Sequence, residues 1–187
     1  MNRGIRTSRL VGGLLGLGLL AATALGTASP ALAAREPGRF ERAQAGLDYT
    51  VYAPSGTAGL KRTGFQLFAC GQGDESINAD FGSEATRASR WIGLNESSKP
   101  CLDGPDEVGP AATFMVRGAK ATVMGACPGG TSTCAASSPA LVRRSAYTTV
   151  TLPSGGDGLS STLVEVYSQN LSLAEVKAFV RGLRPVS

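Results

Sequence analysis

The fold class is decided by residues 113–124, which read TFMVRGAKATVM. Two short runs rich in β-forming residues, 113–117 and 120–124, are separated only by Gly118 and Ala119. Glycine in the first position of a two-residue connection is typical of a type II′ turn, because that position needs a positive φ. The stretch therefore predicts a β-hairpin, and with it an antiparallel sheet.

Further strands are predicted on both sides of this hairpin. Apolar and polar residues alternate, or β-branched and aromatic residues cluster, in the stretches 47–52, 64–70, 86–94, 142–152 and 159–167. The stretches 71–85 and 95–110 are rich in Gly, Asn, Asp or Pro, so both are predicted to be long loops.

The chain is predicted to end in a helix. Ser172 and Glu175 have the spacing of a capping box, in which each side chain accepts a hydrogen bond from the other residue's backbone N–H. Apolar residues then recur at helical spacing and must face the sheet: Leu173, Val176, Phe179, Val180 and Leu183. Because the strand connections contain no crossover helices, the sequence predicts an α+β, mainly antiparallel β fold of about six strands with one packed C-terminal helix.

Residues 114–123, the later strand pair and residues 170–176 together resemble a recurring module. They are similar to the C-terminal half of small bacterial extracytoplasmic β-rich domains of unknown function, which occur in secreted proteins, lipoproteins and anti-sigma-factor tails. The resemblance covers residues 113–185, and the four cysteines and a missing tryptophan in the penultimate strand depart from the pattern. It implies a curved antiparallel sheet with a packed terminal helix, and it implies no catalytic residues.

Residues 1–33 have the three parts of a cleavable secretory signal. The uncharged apolar stretch 10–25 follows a positive segment that contains Arg3, Arg6 and Arg9. Ala31 and Ala33 are the small residues that signal peptidase holds, so we expect cleavage after Ala33. Glycines interrupt the apolar stretch, and no cysteine follows it closely to carry a lipid. The sequence therefore predicts a free secreted protein.

Beyond the signal, two parts are predicted. Residues 34–46 are charged and contain Pro and Gly, so we expect a flexible mature N-terminus. Residues 47–187 have the length of one secreted β-rich domain. Three of the four net positive charges of the chain belong to the signal, which leaves the mature part close to neutral. Since nucleic-acid binding needs a concentrated basic patch, we expect no nucleic-acid partner, and no stable membrane anchor after cleavage.

Four cysteines lie in the predicted exported part: Cys70, Cys101, Cys127 and Cys134. An even number in an oxidising compartment is typical of a disulfide framework. A zinc site is disfavoured because the chain has no histidine and no C-x-x-C pair, in which two residues separate the cysteines. Three connectivities are open; we favour Cys127 with Cys134, whose connecting residues are turn formers, and hence Cys70 with Cys101.

The absence of histidine also excludes the Ser-His-Asp and Cys-His mechanisms. Residues 97–99, Ser-Ser-Lys, lie in a predicted loop, and we interpret them as loop polarity rather than a catalytic Ser-Lys pair. Trp91, Tyr147 and Tyr167 lie on predicted strands and are interpreted as core or half-buried residues rather than a ligand platform. The sequence predicts no catalytic residue, no cofactor-binding residue and no cofactor.

Two groups of carboxylates are the remaining candidates for chemistry: Asp74, Glu75, Asp80 and Glu84 in one, and Asp103, Asp106 and Glu107 in the other. Paired carboxylates can hydrolyse glycosides. Both groups lie in predicted loops, where acidic residues are ordinarily solvated. The stretch 74–84 leaves a calcium site open, because Ca²⁺ takes oxygen ligands from such loops, although Ala79 stands where an EF-hand requires glycine. We assign no metal ligand.

The sequence therefore favours a secreted, non-enzymatic binding protein whose partner is an unknown protein or a cell-envelope ligand. Within this class, a protease inhibitor would present residues 127–134 or 95–105 as a rigid loop, since pre-organisation lowers the entropy cost of binding. The alternative of a different class is a hydrolase that uses the loop carboxylates.

Overall fold

The computed structural model describes residues 38–71, 75–101, 104–130 and 134–186. All of them belong to a unit that spans residues 36–187, and the unit of residues 1–35 lies outside the described residues. The predicted signal, residues 1–33, therefore also lies outside them. In the described part, no helix has both the length and the apolarity needed to cross a membrane.

Nine strands and three α-helices are present among the described residues. The helices are α1 (Arg39–Gln44), α2 (Pro139–Arg144) and α3 (Leu173–Arg181). The strands are β1 (Tyr52–Pro54), β2 (Arg62–Ala69), β3 (Glu75–Gly82), β4 (Trp91–Ser97), β5 (Val108–Val116), β6 (Ala119–Ala126), β7 (Ala146–Leu152), β8 (Thr162–Gln169) and β9 (Leu183–Pro185). The mainly antiparallel β class is confirmed, and the predicted number of about six strands was too low.

Seven of the strands form one open sheet. Its order is β2-β3-β4-β8-β7-β6-β5, and every adjacent pair is antiparallel. β1 and β9 form a separate antiparallel pair. β4 and β8 are neighbours, whereas β5 lies at the far edge. The connection from β4 to β5 must therefore span the width of several strands.

The predicted hairpin is confirmed as β5 and β6, with a different turn. Val116 pairs with Ala119, so the two connecting residues are Arg117 and Gly118 rather than Gly118 and Ala119. Both have positive φ, 49° and 79°. Two positive φ angles define a type I′ turn, whose twist matches that of the strands it joins.

The prediction of a loop over residues 71–85 was wrong. Residues 75–82 form β3, which pairs with β2 on one side and β4 on the other. Ile77, Ala79 and Phe81 are buried, while Ser76, Asn78 and Asp80 alternate with them on the other face of the strand. The polar residues that suggested a loop are therefore one face of a strand.

Two short helices lie where none was predicted. α1 falls in the predicted flexible segment 34–46 and buries Phe40 and Ala43. Its six residues are too few for a helix that is stable in isolation, so tertiary packing must hold it. α2 replaces the first residues of the predicted strand 142–152, where the side chain of Ser138 caps the helix.

All three helices pack on the same face of the sheet, where the core lies. The ring of Phe179 in α3 meets that of Phe81 at 5.7 Å, and Phe40 in α1 meets Phe65 at 5.0 Å. Val142 of α2 lies beside Gly125 of β6. The predicted capping box of α3 is present in both directions, from Ser172 to Glu175 and back.

The two cysteine pairs are those that the sequence favoured. The Cα atoms of Cys70 and Cys101 are 5.3 Å apart, and those of Cys127 and Cys134 are 5.7 Å apart. The first pair joins the end of β2 to the connection that follows β4. The second closes a short loop after β6, directly against Gly109 of β5.

Candidate functional site

The face of the sheet opposite the helices, which we call the open face, carries polar and aromatic side chains. Strand alternation and register assign its members: Gln66, Asn78, Asp80, Trp91, Asn95, Thr113, Thr122, Tyr147, Thr149, Glu165 and Tyr167. Trp91, Tyr147 and Tyr167 are half-buried, as the sequence suggested. They lie on this face and not in the core between the sheet and the helices.

One continuous polar row crosses all seven strands of the open face. Each of its members is the direct register partner of the next: Gln66, Asn78, Asn95, Glu165, Thr149, Thr122 and Thr113. Amide, carboxylate and hydroxyl groups side by side can exchange hydrogen bonds along such a row. The face is therefore built for polar contacts, in contrast to the apolar face beneath the helices.

Glu165 is the central member of this row. It is only 2% exposed, and its carboxylate accepts one hydrogen bond from Asn95 Nδ2 at 3.0 Å and another from the Tyr147 hydroxyl. Burial, reinforced by the hydrogen bond to Glu165, raises the pKa of Tyr147. Tyr147 therefore keeps its proton and remains a donor. The Tyr167 ring packs 4.9 Å from that of Tyr147 and shields the pair.

The connection from β4 to β5 is described at residues 98–101 and 104–107, which contact the open face through Cys101 and Gly104, and we call these two parts the crossing segment. Cys101 lies over β3, where Ser76 Oγ donates to its Sγ at 3.2 Å. Gly104 lies against the ring of Tyr147 on β7, and a Cβ atom there would be 3.3 Å from the ring. The described parts of the segment therefore lie on either side of Glu165, and the disulfide to Cys70 holds one end.

The open face also contains a pocket of about 380 Å³. It is lined by Thr63, Gly64, Asp80, Gly82, Ser83, Glu84 and Trp91. Two carboxylates and one indole dominate its chemistry, so we call it the acidic-aromatic pocket.

Two glycines shape this pocket. In the register, Asp80 lies between Gly64 on β2 and Gly93 on β4. A Cβ atom at Gly64 would be 2.6 Å from the carboxylate of Asp80, and one at Gly93 would be 2.6 Å from the Trp91 ring. Only glycine at both positions leaves room for the carboxylate and the indole to lie against the sheet. Trp91 Nε1 then donates to Asp80 Oδ1 at 3.2 Å and fixes both groups.

The loop that supplies Ser83 and Glu84 is held by two amides at the end of β8. Gln169 Nε2 donates to the carbonyl of Thr86 at 2.7 Å, and Asn170 Nδ2 donates to the carbonyl of Ser89, also at 2.7 Å. The backbone N–H of Ser83 also donates to the carbonyl of Arg90. The pocket wall is therefore fixed by side chains outside the pocket.

This arrangement suits a positively charged group. A cation above the indole face interacts favourably with the ring, by about 0.5–1 kcal/mol at an exposed site. A neighbouring carboxylate adds a charge-assisted hydrogen bond. Trp91 occupies one oxygen of Asp80, and Glu84 is exposed.

The structure separates the carboxylates that the sequence grouped together. Asp80 and Glu84 both line the pocket, whereas Glu75 begins β3 at its other end. Asp106 and Glu107 are exposed ahead of β5, and Asp74 and Asp103 lie outside the described residues. The stretch 74–84 was considered for calcium as a loop, but most of it is a strand. Among the described residues, no three acidic or cysteine side chains are grouped to hold a metal ion.

Two buried glutamates were not found by sequence reasoning. Glu165 lies on the open face, and Glu96 lies on the opposite face, in the core. Both are inside strands, where the alternation with apolar neighbours was the available signal. Only the three-dimensional structure, which places Asn95 and Tyr147 around Glu165, shows which of the two carboxylates has side-chain donors.

The chain matches no protein-family model, no curated protein and no solved structure.

Proposed function

We propose that the chain is a secreted, non-enzymatic binding protein whose acidic-aromatic pocket holds a positively charged group of its ligand. The observation that carries the proposal is the placement of Asp80, Glu84 and Trp91 around one open pocket. An aromatic face beside carboxylates recognises ammonium and guanidinium groups. The partner class is a protein or a cell-envelope ligand that exposes such groups.

Binding is favoured over hydrolysis by the state of the carboxylates. Glu165 is buried and accepts hydrogen bonds from two side chains, which is the situation of a structural carboxylate rather than a general acid. Asp80 accepts a hydrogen bond from Trp91 in the acidic-aromatic pocket, where its carboxylate would bind the cationic group of the ligand. Since the chain has no histidine, a hydrolase would have to rely mainly on carboxylates such as these for proton transfer.

Secretion is part of this proposal. The paired cysteines are compatible with an oxidising compartment, and the pattern of residues 1–33 supports export. The likeness of residues 113–185 to bacterial extracytoplasmic domains, and the sheet curvature that it implies, stay predictions.

The test uses the intrinsic fluorescence of Trp91, because it is the only tryptophan of the chain. The chain, produced with its disulfides, is titrated with glucosamine oligomers and with tetralysine. The matched neutral probes are the N-acetylated forms of both. We expect saturable changes in emission with the cationic probes. Asp80→Asn should weaken binding by about tenfold, the equivalent of one charge-assisted hydrogen bond.

Asp106→Asn is the matched control, since it removes an exposed carboxylate outside the pocket. Equal binding of the neutral and cationic probes would contradict the proposed ligand class, and the absence of binding by any probe would contradict the site. Turnover of a probe that is abolished by Asp80→Asn would replace the binding function by a hydrolase.

A further inference from the structure

The two edges of the sheet differ in how well they resist an added strand. β5 contains Pro110, and its register shifts beside that proline. Proline and bulges are the usual means by which an edge strand avoids pairing with another chain. β2 also has a register shift, between Arg62 and Gly64, but from Gly64 to Ala69 it pairs with β3 without interruption, and residues 63–69 contain no proline and no charged residue. β2 is therefore the edge more open to strand addition.

The outer side of β2 is available within the described part of the chain. There, β2 pairs with β3 alone. Its outward N–H and C=O groups form a row of donors and acceptors. Leu67 is 46% exposed on this strand, although its register partner Ile77 is a core residue. A partner strand would cover both the backbone row and this side chain.

An open groove of about 470 Å³ lies alongside this edge, between α1 and β2. Phe65 and Leu67 form its apolar part, and Phe65 is held in place by an edge-to-face contact with Phe40. Arg39 and Arg42, both exposed, line its α1 side. The groove therefore offers an apolar surface next to two guanidinium groups.

We propose that the β2 edge and this groove bind an extended acidic polypeptide segment, which adds to β2 as a further strand. Main-chain hydrogen bonds provide affinity in such strand addition, and pockets for alternate side chains provide specificity. Arginine prefers carboxylates, with which it forms paired hydrogen bonds, so Arg39 at the groove favours an acidic segment. This site is on the other face of β2 from the acidic-aromatic pocket, and it does not depend on the pocket function.

A second copy of the chain is a poorer occupant of the same edge. A two-fold dimer places the same patch of both copies in contact. Such a dimer would bring Arg39 and Arg42 of one copy close to the same residues of the other, and like charges repel. An acidic segment from a different chain has no such penalty.

The test uses an eight-residue peptide, which matches the eight residues of β2. Its sequence is VTETVTET, acetylated and amidated, so that one face of the strand alternates valine and glutamate. The comparison peptides are VTKTVTKT and a VTETVTET in which alternate backbone nitrogens are methylated. Fluorescence anisotropy of labelled peptides reports binding to the disulfide-bonded chain, and hydrogen exchange reports which amides become protected.

We expect binding of VTETVTET only, with new protection confined to residues 62–69. Arg39→Glu and Leu67→Lys should each weaken binding by about tenfold or more. The matched controls are Lys120→Glu, which reverses an exposed charge elsewhere, and Met115→Lys, which changes the exposed apolar residue of the other edge. Neither should alter binding, and circular dichroism checks that each variant is folded.

Three results would overturn the proposal. They are equal binding of the methylated peptide, protection of residues other than those of β2, and no binding by VTETVTET. Self-association in analytical ultracentrifugation that Leu67→Lys abolishes would assign the edge to a second copy instead.

Discussion

Glu96 should make the stability of the protein depend on pH, and its replacement by glutamine should remove that dependence. Its side chain is fully buried on β4, between Ile77 of β3 and Val164 of β8. One carboxylate oxygen accepts from the backbone N–H of Tyr52 at 3.0 Å, and the other has no hydrogen-bond partner within the described structure. Burial raises the pKa of Glu96 from 4.5 to about 8, against a smaller lowering by the Tyr52 N–H.

The sign of the effect follows from proton binding. Between pH 4.5 and about pH 8, the unfolded chain has released the Glu96 proton while the folded chain retains it. Unfolding then releases a proton, so the free energy of unfolding falls as the pH rises. The contribution of Glu96 to the free energy of unfolding is fully present below pH 4.5 and is lost progressively up to about pH 8. The loss amounts to about 1.4 kcal/mol for each pH unit, or on the order of 5 kcal/mol over the whole window.

Tyr49, which precedes β1, and Tyr52, the first residue of β1, are titratable residues that contact Glu96. Tyr49 donates its hydroxyl to the backbone carbonyl of Glu96 at 2.9 Å, and burial raises the pKa of both tyrosines. Arg117 approaches the Tyr52 ring at 5.8 Å. Because the raised pKa values keep both tyrosines protonated above pH 8, neither tyrosine should titrate in this window.

The assay is urea unfolding followed by circular dichroism, from about pH 5 to about pH 8, for wild type, Glu96→Gln and Glu107→Gln. Comparison with wild type at each pH cancels the contributions of the other carboxylates. We expect the stability advantage of Glu96→Gln to be small near pH 5 and to grow to several kcal/mol near pH 8. Glu107 is exposed, and Glu107→Gln should change nothing. A difference between Glu96→Gln and wild type that does not change with pH would refute the reasoning.

Three further changes test the fold and the pocket. Ser172→Ala removes the cap of α3 and should lower the free energy of unfolding by about 1 kcal/mol, measured by urea unfolding. An unchanged free energy of unfolding would mean that the cap is redundant. Gly93→Ala places a methyl group against the Trp91 ring; it should cost about 1–3 kcal/mol and shift the tryptophan emission, and an unchanged spectrum would contradict the described ring position. Replacing Cys127 and Cys134 by serine opens a short loop and should cost about 2.5 kcal/mol in thermal or urea unfolding, while an equally stable variant would show that the loop is held by other contacts.

The elements that could be predicted from the sequence are those defined by neighbouring residues. The hairpin at residues 113–124 and the capped helix after Ser172 carry their signals within a few residues. The cysteine pairing followed from the turn formers between Cys127 and Cys134. The turn type was missed because Arg117, a residue that seldom adopts positive φ, does so here beside Gly118.

The elements that were missed depend on contacts between distant residues. α1 exists because Phe40 packs on Phe65, and six residues alone carry no sufficient helical signal. β3 has the alternation of a strand, but its Asn78 and Asp80 are also turn formers, and composition was given more weight than periodicity. The pocket could not be predicted, since Asp80 meets Trp91 and Gly64 only through the pairing of three strands.

The two buried glutamates show how the open face differs from the core face. Asn95 and Glu96 are adjacent on β4, so their side chains point to opposite faces. On the open face, Asn95 and Tyr147 both donate to Glu165, and a cross-strand polar row continues on either side. On the core face, Glu96 has one backbone donor and apolar neighbours, so burial keeps its proton on. Burial among apolar groups disfavours the charged form of a carboxylate. We therefore expect substitutions at Asp80 and Glu84 to change the binding of a cationic ligand in the acidic-aromatic pocket, and substitutions at Glu96 to change stability.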